Sequence, residues 1–297
     1  MDKKKVGQKI LYSPLTKIII GILVMACVYV IQSLIYELLK EVEVNNNVKH
    51  LIQGIFIAAL AIVLYSVLYK FYEKRKITEF SKHGIGKNLI IGVVLGIVLQ
   101  SLTILVIYLK GGYTVLSINP IVFIIPPLTI AFTVSVVEET LFRGVIFRIT
   151  EEKLGSYVAL LISALIFGLV HLANPNSSLI VGVGLAIQAG LLLATAYIYS
   201  RNLWFPIAIH FAWNFTQGYI FGANVSGGGT SRPLITSKIE GAEWFTGGEF
   251  GPEGSIQATL FCLIATIILL ILSHKDRKIV KPYWSKTTNT YHNSVSQ

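Results

Sequence analysis

Apolar stretches free of Asp, Glu, Lys and Arg recur along the whole chain, separated by short charged connections. A helix needs about 20 mainly apolar residues to cross a bilayer, and most of these stretches reach that length. The pattern therefore predicts eight membrane-spanning helices. They cover residues 17–39, 51–72, 87–109, 122–149, 156–173, 178–200, 204–221 and 256–274.

Composition supports a membrane protein rather than a soluble one. Charged side chains make up 13% of the 297 residues, against about 25% in soluble domains. Hydrophobic residues reach 54%, and the mean hydropathy is +0.67. We expect an all-α polytopic membrane protein. Its two cysteines, Cys27 and Cys262, fall within predicted spans, where they are expected to pack as apolar side chains without forming a disulfide.

The distribution of basic residues predicts the orientation. If both termini are cytoplasmic, 19 of the 25 Lys and Arg residues lie inside, five lie outside, and Arg143 lies within a span. This asymmetry follows the positive-inside rule. The basic residues flank apolar segments instead of lining one soluble face, so nucleic acid is not an expected partner. The lipid bilayer is an expected partner, and a bacterial plasma membrane is the expected location. The first apolar stretch is too long for a cleaved signal and is interpreted as an anchor.

Four regions follow from this layout. Three N-terminal spans occupy 1–121, and a four-span core occupies 122–221. A glycine-rich extracytoplasmic loop covers 222–255, and the last span and cytoplasmic tail cover 256–297. A loop of that length is typical of either a functional lid or a mobile segment.

Three ionisable residues lie within the fourth predicted span: Glu138, Glu139 and Arg143. Each costs about 2.5–3.5 kcal/mol at the centre of a membrane helix. Glu139 and Arg143 are four residues apart and can form an ion pair on one helix face. Glu138 points about 100° away from Glu139, toward a different neighbour. The three residues form either a buried polar cluster of structural value or part of a reactive site.

Two histidine motifs favour the reactive site. Phe167 and His171 share a helix face near the end of the fifth span, and His210 and Asn214 share one in the seventh. Two imidazoles, a spare carboxylate and an amide are the groups needed to activate water and stabilise an oxyanion. The chain has no HExxH motif, so a zinc site built on one helix is unsupported. It has no GxSxG motif and no pair of aspartates within spans, so serine and aspartyl mechanisms are unsupported as well.

The motifs EETLFR, FGLVH and HFAWN, in this order, resemble the EExxxR, FxxxH and HxxxN motifs of the CPBP family, the CAAX proteases and bacteriocin-processing proteins also called Abi. The resemblance covers about residues 122–221. It implies an intramembrane endopeptidase with eight transmembrane helices and a conical active-site cavity. Its substrate would be a membrane-associated or lipidated peptide: a prenylated CAAX tail in eukaryotic relatives, a bacteriocin or signalling peptide in bacterial ones.

The resemblance also implies residue roles. Glu138 would be the general base, His171 would position the water, and His210 and Asn214 would stabilise the oxyanion. Glu139, Arg143 and Phe167 would support them. No cofactor is expected, although Glu138, His171 and His210 form a possible zinc ligand set. Using Glu138 as a ligand would leave only Glu139 as base, which favours a metal-independent mechanism.

The depths of these residues present a difficulty. Measured from the cytoplasmic boundary, Glu138 and His171 lie about 22 and 27 Å along their helices, whereas His210 lies only about 10 Å along its own. A tilt, a break near Pro206 or a sunken loop at 200–205 would bring them together, and a break is also expected near Pro126 and Pro127. We expect a funnel open toward the cytoplasm. Two other functions stay open: a non-catalytic immunity or peptide-binding protein, and a proton-coupled transporter.

Overall fold

A computed structural model describes residues 3–230 and 233–285, and these are predominantly helical. Arg232 and the predicted tail beyond Ser285 lie outside the described residues. The helices are α1 (Lys3–Leu11), α2 (Pro14–Lys40), α3 (Asn46–Tyr72), α4 (Ile85–Leu109), α5 (Ile125–Glu139), α6 (Arg148–His171), α7 (Leu179–Leu185), α8 (Leu192–Ser200), α9 (Trp204–Asn214), α10 (Glu243–Thr246) and α11 (Ile256–Lys275). Three π-helical segments continue α5, α7 and α9, at Thr140–Phe147, Ala186–Leu191 and Phe215–Ile220.

Within the described part of the chain, six helical stretches are long and apolar enough to cross a membrane. They are Pro14–Lys40, Asn46–Tyr72, Ile85–Leu109, Ile121–His171, Leu179–Ser200 and Ile256–Lys275. The prediction of a helical polytopic membrane protein is therefore confirmed. The fourth stretch contains two of the predicted spans. The predicted span 204–221 corresponds to α9 and its π-helical continuation, which are together shorter than the other stretches.

Gly155 separates the two spans that share one helical stretch. Its backbone has φ 78° and ψ 167°, which is not helical. A side chain here would place its Cβ 2.7 Å from the nitrogen of Pro282 and 2.9 Å from the carbonyl oxygen of Val280. Only glycine combines this left-handed backbone with so close an approach. α6 therefore consists of two helical parts, one before Gly155 and one after it.

Gly92 and Gly96 allow α4 to pack closely against α9. A Cβ at Gly92 would lie 2.6 Å from the Cβ of Ala208, and one at Gly96 would lie 2.5 Å from the carbonyl oxygen of Ile209. Small residues at this spacing let two helix backbones approach each other within a membrane. The GxxxG pattern thus positions α9, the helix that carries His210.

The loop predicted at 222–255 is folded. Its strand β2 (Ile235–Ile239) pairs antiparallel with β1 (Tyr113–Ile118), a small sheet that the sequence pattern did not predict. Phe250 is 1% exposed and belongs to a core cluster with Phe142 and Phe167. The segment is therefore anchored among the helices that carry the first two motifs.

Contacts between connections define two ends of the helix bundle. At the basic end, made of residues 73–84, 148–156, 200–203 and 276–282, the amide of Leu203 donates to the carbonyl of Glu79 (2.8 Å) and that of Ser156 to Val280 (3.0 Å). At the sheet end, made of β1, β2 and residues 172–178 and 221–230, the hydroxyl of Tyr113 donates to the carbonyl of Phe221 (2.9 Å).

Buried ion pairs hold the basic end together. Glu73 forms ion pairs with Lys17 (2.9 Å), Arg75 (2.6 Å) and Arg148 (3.0 Å), and Arg148 also lies 3.5 Å from Glu79. Burial alone would raise the pKa of the Glu73 carboxyl. The positive charge of Arg148 and the hydrogen bonds from Arg75 and Lys17 outweigh burial and hold this pKa below its ordinary value.

This lowered pKa predicts acid-sensitive stability. The stabilisation from ionised Glu73 is present above the pKa of the unfolded chain and is lost as the pH falls through the lower pKa of the folded protein. We expect Glu73→Gln to lower the stability at neutral pH by roughly 2 kcal/mol, with a smaller difference in acid. Thermal denaturation in detergent at several pH values measures this. Glu37→Gln, at an exposed ion pair on α2, is the control and should change little. A constant difference at all pH values would contradict the assignment.

Candidate active site

Glu139 and Arg143 form the predicted ion pair, and both side chains are fully buried. Nη1 of Arg143 donates to Oε1 of Glu139 (2.8 Å), and its Nη2 donates to the carbonyl of Ala189 (2.7 Å). Arg143 lies in the π-helical segment that begins directly after Glu139. A buried guanidinium needs such partners for both its charge and its donors. Arg143 therefore joins the helix of the glutamates to the π-helical segment after α7.

His210 lies between the two glutamates. Its Nδ1 is 2.9 Å from Oε1 of Glu139, and its Nε2 is 3.9 Å from Oε2 of Glu138. An ionised carboxylate only accepts hydrogen bonds, so Nδ1 is the nitrogen that carries a proton toward Glu139. Nε2 is left to face Glu138 and the space beside it.

His171 is held by Phe167, one helical turn earlier. Its Nδ1 lies 2.8 Å from the carbonyl oxygen of Phe167, and the two rings stack with centroids 4.3 Å apart. Because a carbonyl oxygen accepts, Nδ1 donates and Nε2 is the nitrogen available to other groups. The guanidinium carbon of Arg143 lies 4.8 Å from the centroid of the same Phe167 ring.

Glu138, His171, His210 and Asn214 all line one cavity of about 510 Å³. Three helices supply them, and Phe167 lines the same cavity, whereas Glu139 and Arg143 support the site from behind. The Glu138 side chain is 20% exposed, and its Oε2 is buried without a hydrogen-bond partner among the described residues. The residues named by the three motifs are thus brought together in space. Oε2 of Glu138 and Oε2 of Glu139 both lack a hydrogen-bond partner among the described residues, and of the two glutamates Glu138 lines the cavity.

The difference in depth expected from the sequence disappears without a helix break near Pro206. Pro206 lies in the first turn of α9, where amides have no partner within the helix, so the missing N–H of proline costs little. The connection before α9 is packed against protein, since Asn202 is 3% exposed and Leu203 is fully buried. Neither residue lines the cavity, unlike the loop sunk into a water-filled funnel that one alternative predicted. The break expected near Pro126 and Pro127 coincides with the start of α5, which has proline in its first turn.

Glu253 is a cavity residue that the motifs did not indicate. It is 6% exposed, its carboxylate accepts from the amide of Ser226, and its carbonyl accepts from Nε2 of Gln188 (2.6 Å). Burial raises the pKa of the Glu253 carboxyl above its ordinary value, although the hydrogen bond from Ser226 opposes the rise. Three other glutamates lie in the same loop, and no pattern in the sequence distinguishes Glu253 from them.

The possible zinc ligands Glu138, His171 and His210 are not arranged as a metal centre. Across residues 3–230 and 233–285, no group of three or more His, Cys, Asp or Glu side chains is placed to hold a metal ion. Nδ1 of each histidine contacts a neighbouring carbonyl or carboxylate oxygen, which leaves Nε2 as the nitrogen facing the cavity side. The described side chains are therefore not grouped as a three-ligand zinc site, and the mechanism proposed below routes no step through a metal.

Comparison with known proteins identifies the core. Residues 120–216 match the family described as type II CAAX prenyl endopeptidase Rce1-like. This range is about a third of the chain and contains all three motifs. Comparison with curated proteins and with solved structures gives no match. The segment that carries the site, residues 120–216, is therefore of the CPBP family of intramembrane proteases.

Proposed function

We propose that the protein is an intramembrane endopeptidase that hydrolyses a peptide bond in a membrane-associated or lipidated peptide. The observation that carries this proposal is the difference between the neighbouring glutamates. Oε1 of Glu139 is paired with Arg143 and His210, and Glu139 is fully buried outside the cavity lining. Glu138 lines the cavity, and its Oε2 has no hydrogen-bond partner. A carboxylate that is free to accept a proton beside a cavity is suited to act as a general base.

In the proposed reaction, Glu138 removes a proton from a water molecule as the water oxygen attacks the carbonyl carbon of the scissile bond. The electron pair of the C=O bond moves onto oxygen and forms an oxyanion. When that pair returns, the C–N bond breaks and Glu138 gives its proton to the leaving amine. One water is consumed, and the products are a new carboxyl group and a new amine.

His210 and Asn214 are proposed to stabilise the oxyanion. Since Nδ1 of His210 donates to Glu139, donation from Nε2 requires a ring that carries both protons. The buried charge of Glu139 would balance the positive ring. The amide of Asn214, on the same face of α9 and on the same cavity, is a neutral donor. Such preorganised donors act more strongly in an enclosed site than in water.

His171 is proposed to position the attacking water by accepting a hydrogen bond at Nε2. We expect His171→Ala to lower the rate of peptide hydrolysis by about 100-fold, the lower end of the range for a proton-transfer group. His83→Ala, at an exposed position of the basic end, is the matched control and should keep the rate of the unaltered protein. Rates measured with a quenched fluorescent peptide decide this. Equal rates for the two variants would remove His171 from the mechanism.

We also propose eight membrane spans in a bacterial plasma membrane, with both termini in the cytoplasm. Six spans follow from the apolar stretches, a seventh from the division of the fourth stretch at Gly155, and an eighth from α9 with its π-helical continuation. The basic residues concentrated at one end of the bundle support the orientation.

The function is tested with purified protein in liposomes that contain a lipidated reporter peptide. We expect two new peptides, identified by mass spectrometry, and no transport of peptide or ions. Peptide binding without cleavage would favour a non-catalytic immunity or binding protein. Flux across the bilayer without cleavage would favour a transporter. Either result would overturn the proposal.

A further inference from the structure

The cavity lies toward one end of the helix bundle. Residues of the sheet end that line it are Asn174, Val225, Ser226, Gly228, Gly229 and Thr230, and Glu253 joins them. Among the described residues, none from the basic end lines this cavity. The site therefore extends to the sheet end and stops short of the basic end.

Packing closes the basic end. Glu79 is 3% exposed and Leu203 is fully buried beneath the 73–84 segment. Arg201 adds a further link, since its Nη1 lies 2.6 Å from Oε2 of Glu151. These charged groups satisfy one another, so that opening a path between them would leave several buried charges unpaired.

The same cavity reaches the lipid-facing surface of the bundle. Tyr29 on α2, Ile130 on α5 and Val170 on α6 line it, yet they are 45%, 42% and 54% exposed. In a membrane such large apolar surfaces face acyl chains. A peptide held in the bilayer thus has an apolar approach to the cavity between these helices.

The segments of the basic end carry ten Lys and Arg residues and those of the sheet end carry one, Lys238, so the positive-inside rule assigns the basic end to the cytoplasm. We propose that the cavity is reached from the extracytoplasmic half of the membrane. Its substrates are membrane-anchored peptides whose scissile bond lies on that side, not lipidated tails presented from the cytoplasm. This reverses the funnel direction expected from sequence alone. The substrate class rests on the proposed endopeptidase function, whereas the side of access does not.

Cysteine labelling tests the side of access without depending on activity. In a Cys27→Ser, Cys262→Ser background, Glu138→Cys and Asn174→Cys are exposed to a charged, membrane-impermeant methanethiosulfonate in right-side-out and in inverted vesicles. Lys238→Cys and Lys76→Cys, exposed at the sheet and basic ends, report the orientation. We expect Glu138→Cys, Asn174→Cys and Lys238→Cys to react in right-side-out vesicles, with loss of reaction in inverted ones. Lys76→Cys should show the opposite pattern.

Reaction of Glu138→Cys and Asn174→Cys only in inverted vesicles, in both kinds or in neither would overturn the inference. Asn174→Cys probes the same cavity while Glu138 is kept, so it shows whether the replacement of Glu138 itself changes access. A second measurement places a lipidated reporter in one leaflet at a time and uses the unaltered protein. Cleavage in the extracytoplasmic leaflet alone supports the substrate class, and cleavage in the cytoplasmic leaflet alone overturns it. If the labelling is as expected but the reporter is cleaved in neither leaflet, the endopeptidase function and the substrate class are both wrong. The proposed side of access is then still supported by the labelling.

Discussion

Glu138→Gln should reduce peptide hydrolysis by about 10²–10⁴-fold, the range found for removal of a general base. Glutamine keeps the size of the side chain but cannot take a proton from water. The fold should be retained, because Glu138 has no hydrogen-bonded ion pair: the closest charged partner, Nε2 of His210, is 3.9 Å away. Initial rates with the quenched peptide and thermal denaturation of the same preparation measure both effects.

The control for this substitution is Glu240→Gln, an exposed carboxylate at the sheet end. It should keep both the rate and the denaturation temperature. If Glu138→Gln hydrolyses the peptide as fast as Glu240→Gln, Glu138 is not the base. A variant that loses activity together with its folded state would instead indicate that Glu138 has a structural role.

Arg143→Met should cause the largest loss of stability. Removing one partner of a buried ion pair costs about 3–5 kcal/mol, because the other charge remains buried without compensation. Here the charge left is Glu139, whose side chain is fully buried and keeps only its contact with His210, and the carbonyl of Ala189 also loses its donor. Thermal denaturation in detergent measures the change. Lys153→Met, at an exposed basic residue, should have little effect.

A double variant separates stability from chemistry. Glu139→Gln combined with Arg143→Met leaves no unpaired charge, so it should recover a large part of the stability lost in Arg143→Met. It should not recover peptide hydrolysis, because His210 no longer faces a carboxylate through Nδ1. Recovery of the rate along with the stability would show that Glu139 is needed only as a partner for Arg143.

The sequence predicted those features that depend on neighbours along one helix. Glu139 and Arg143 form an ion pair as their spacing required, and His171 lies over Phe167 on one face. The apolar stretches gave span boundaries within a few residues of the helices, because hydrocarbon thickness sets the length of a span.

Features that depend on contacts between distant segments were not predicted. The depth of His210 is set by the buried connection at Asn202 and Leu203, which packs under residues 73–84. Glu253 enters the cavity through the folding of the 222–255 segment, which Phe250 anchors. No local periodicity encodes such packing, and the same gap explains why the funnel direction inferred from sequence differs from the one proposed from the cavity lining.

In the proposed mechanism a carboxylate of this chain, and not a metal, activates the water. The most direct test is hydrolysis of the lipidated reporter by the purified protein with a chelator, with and without zinc added back, beside Glu138→Gln. We predict that the chelator leaves the rate of the unaltered protein unchanged and that Glu138→Gln is inactive under every condition. Activity that is lost with the chelator and restored by zinc would contradict activation of the water by a carboxylate alone.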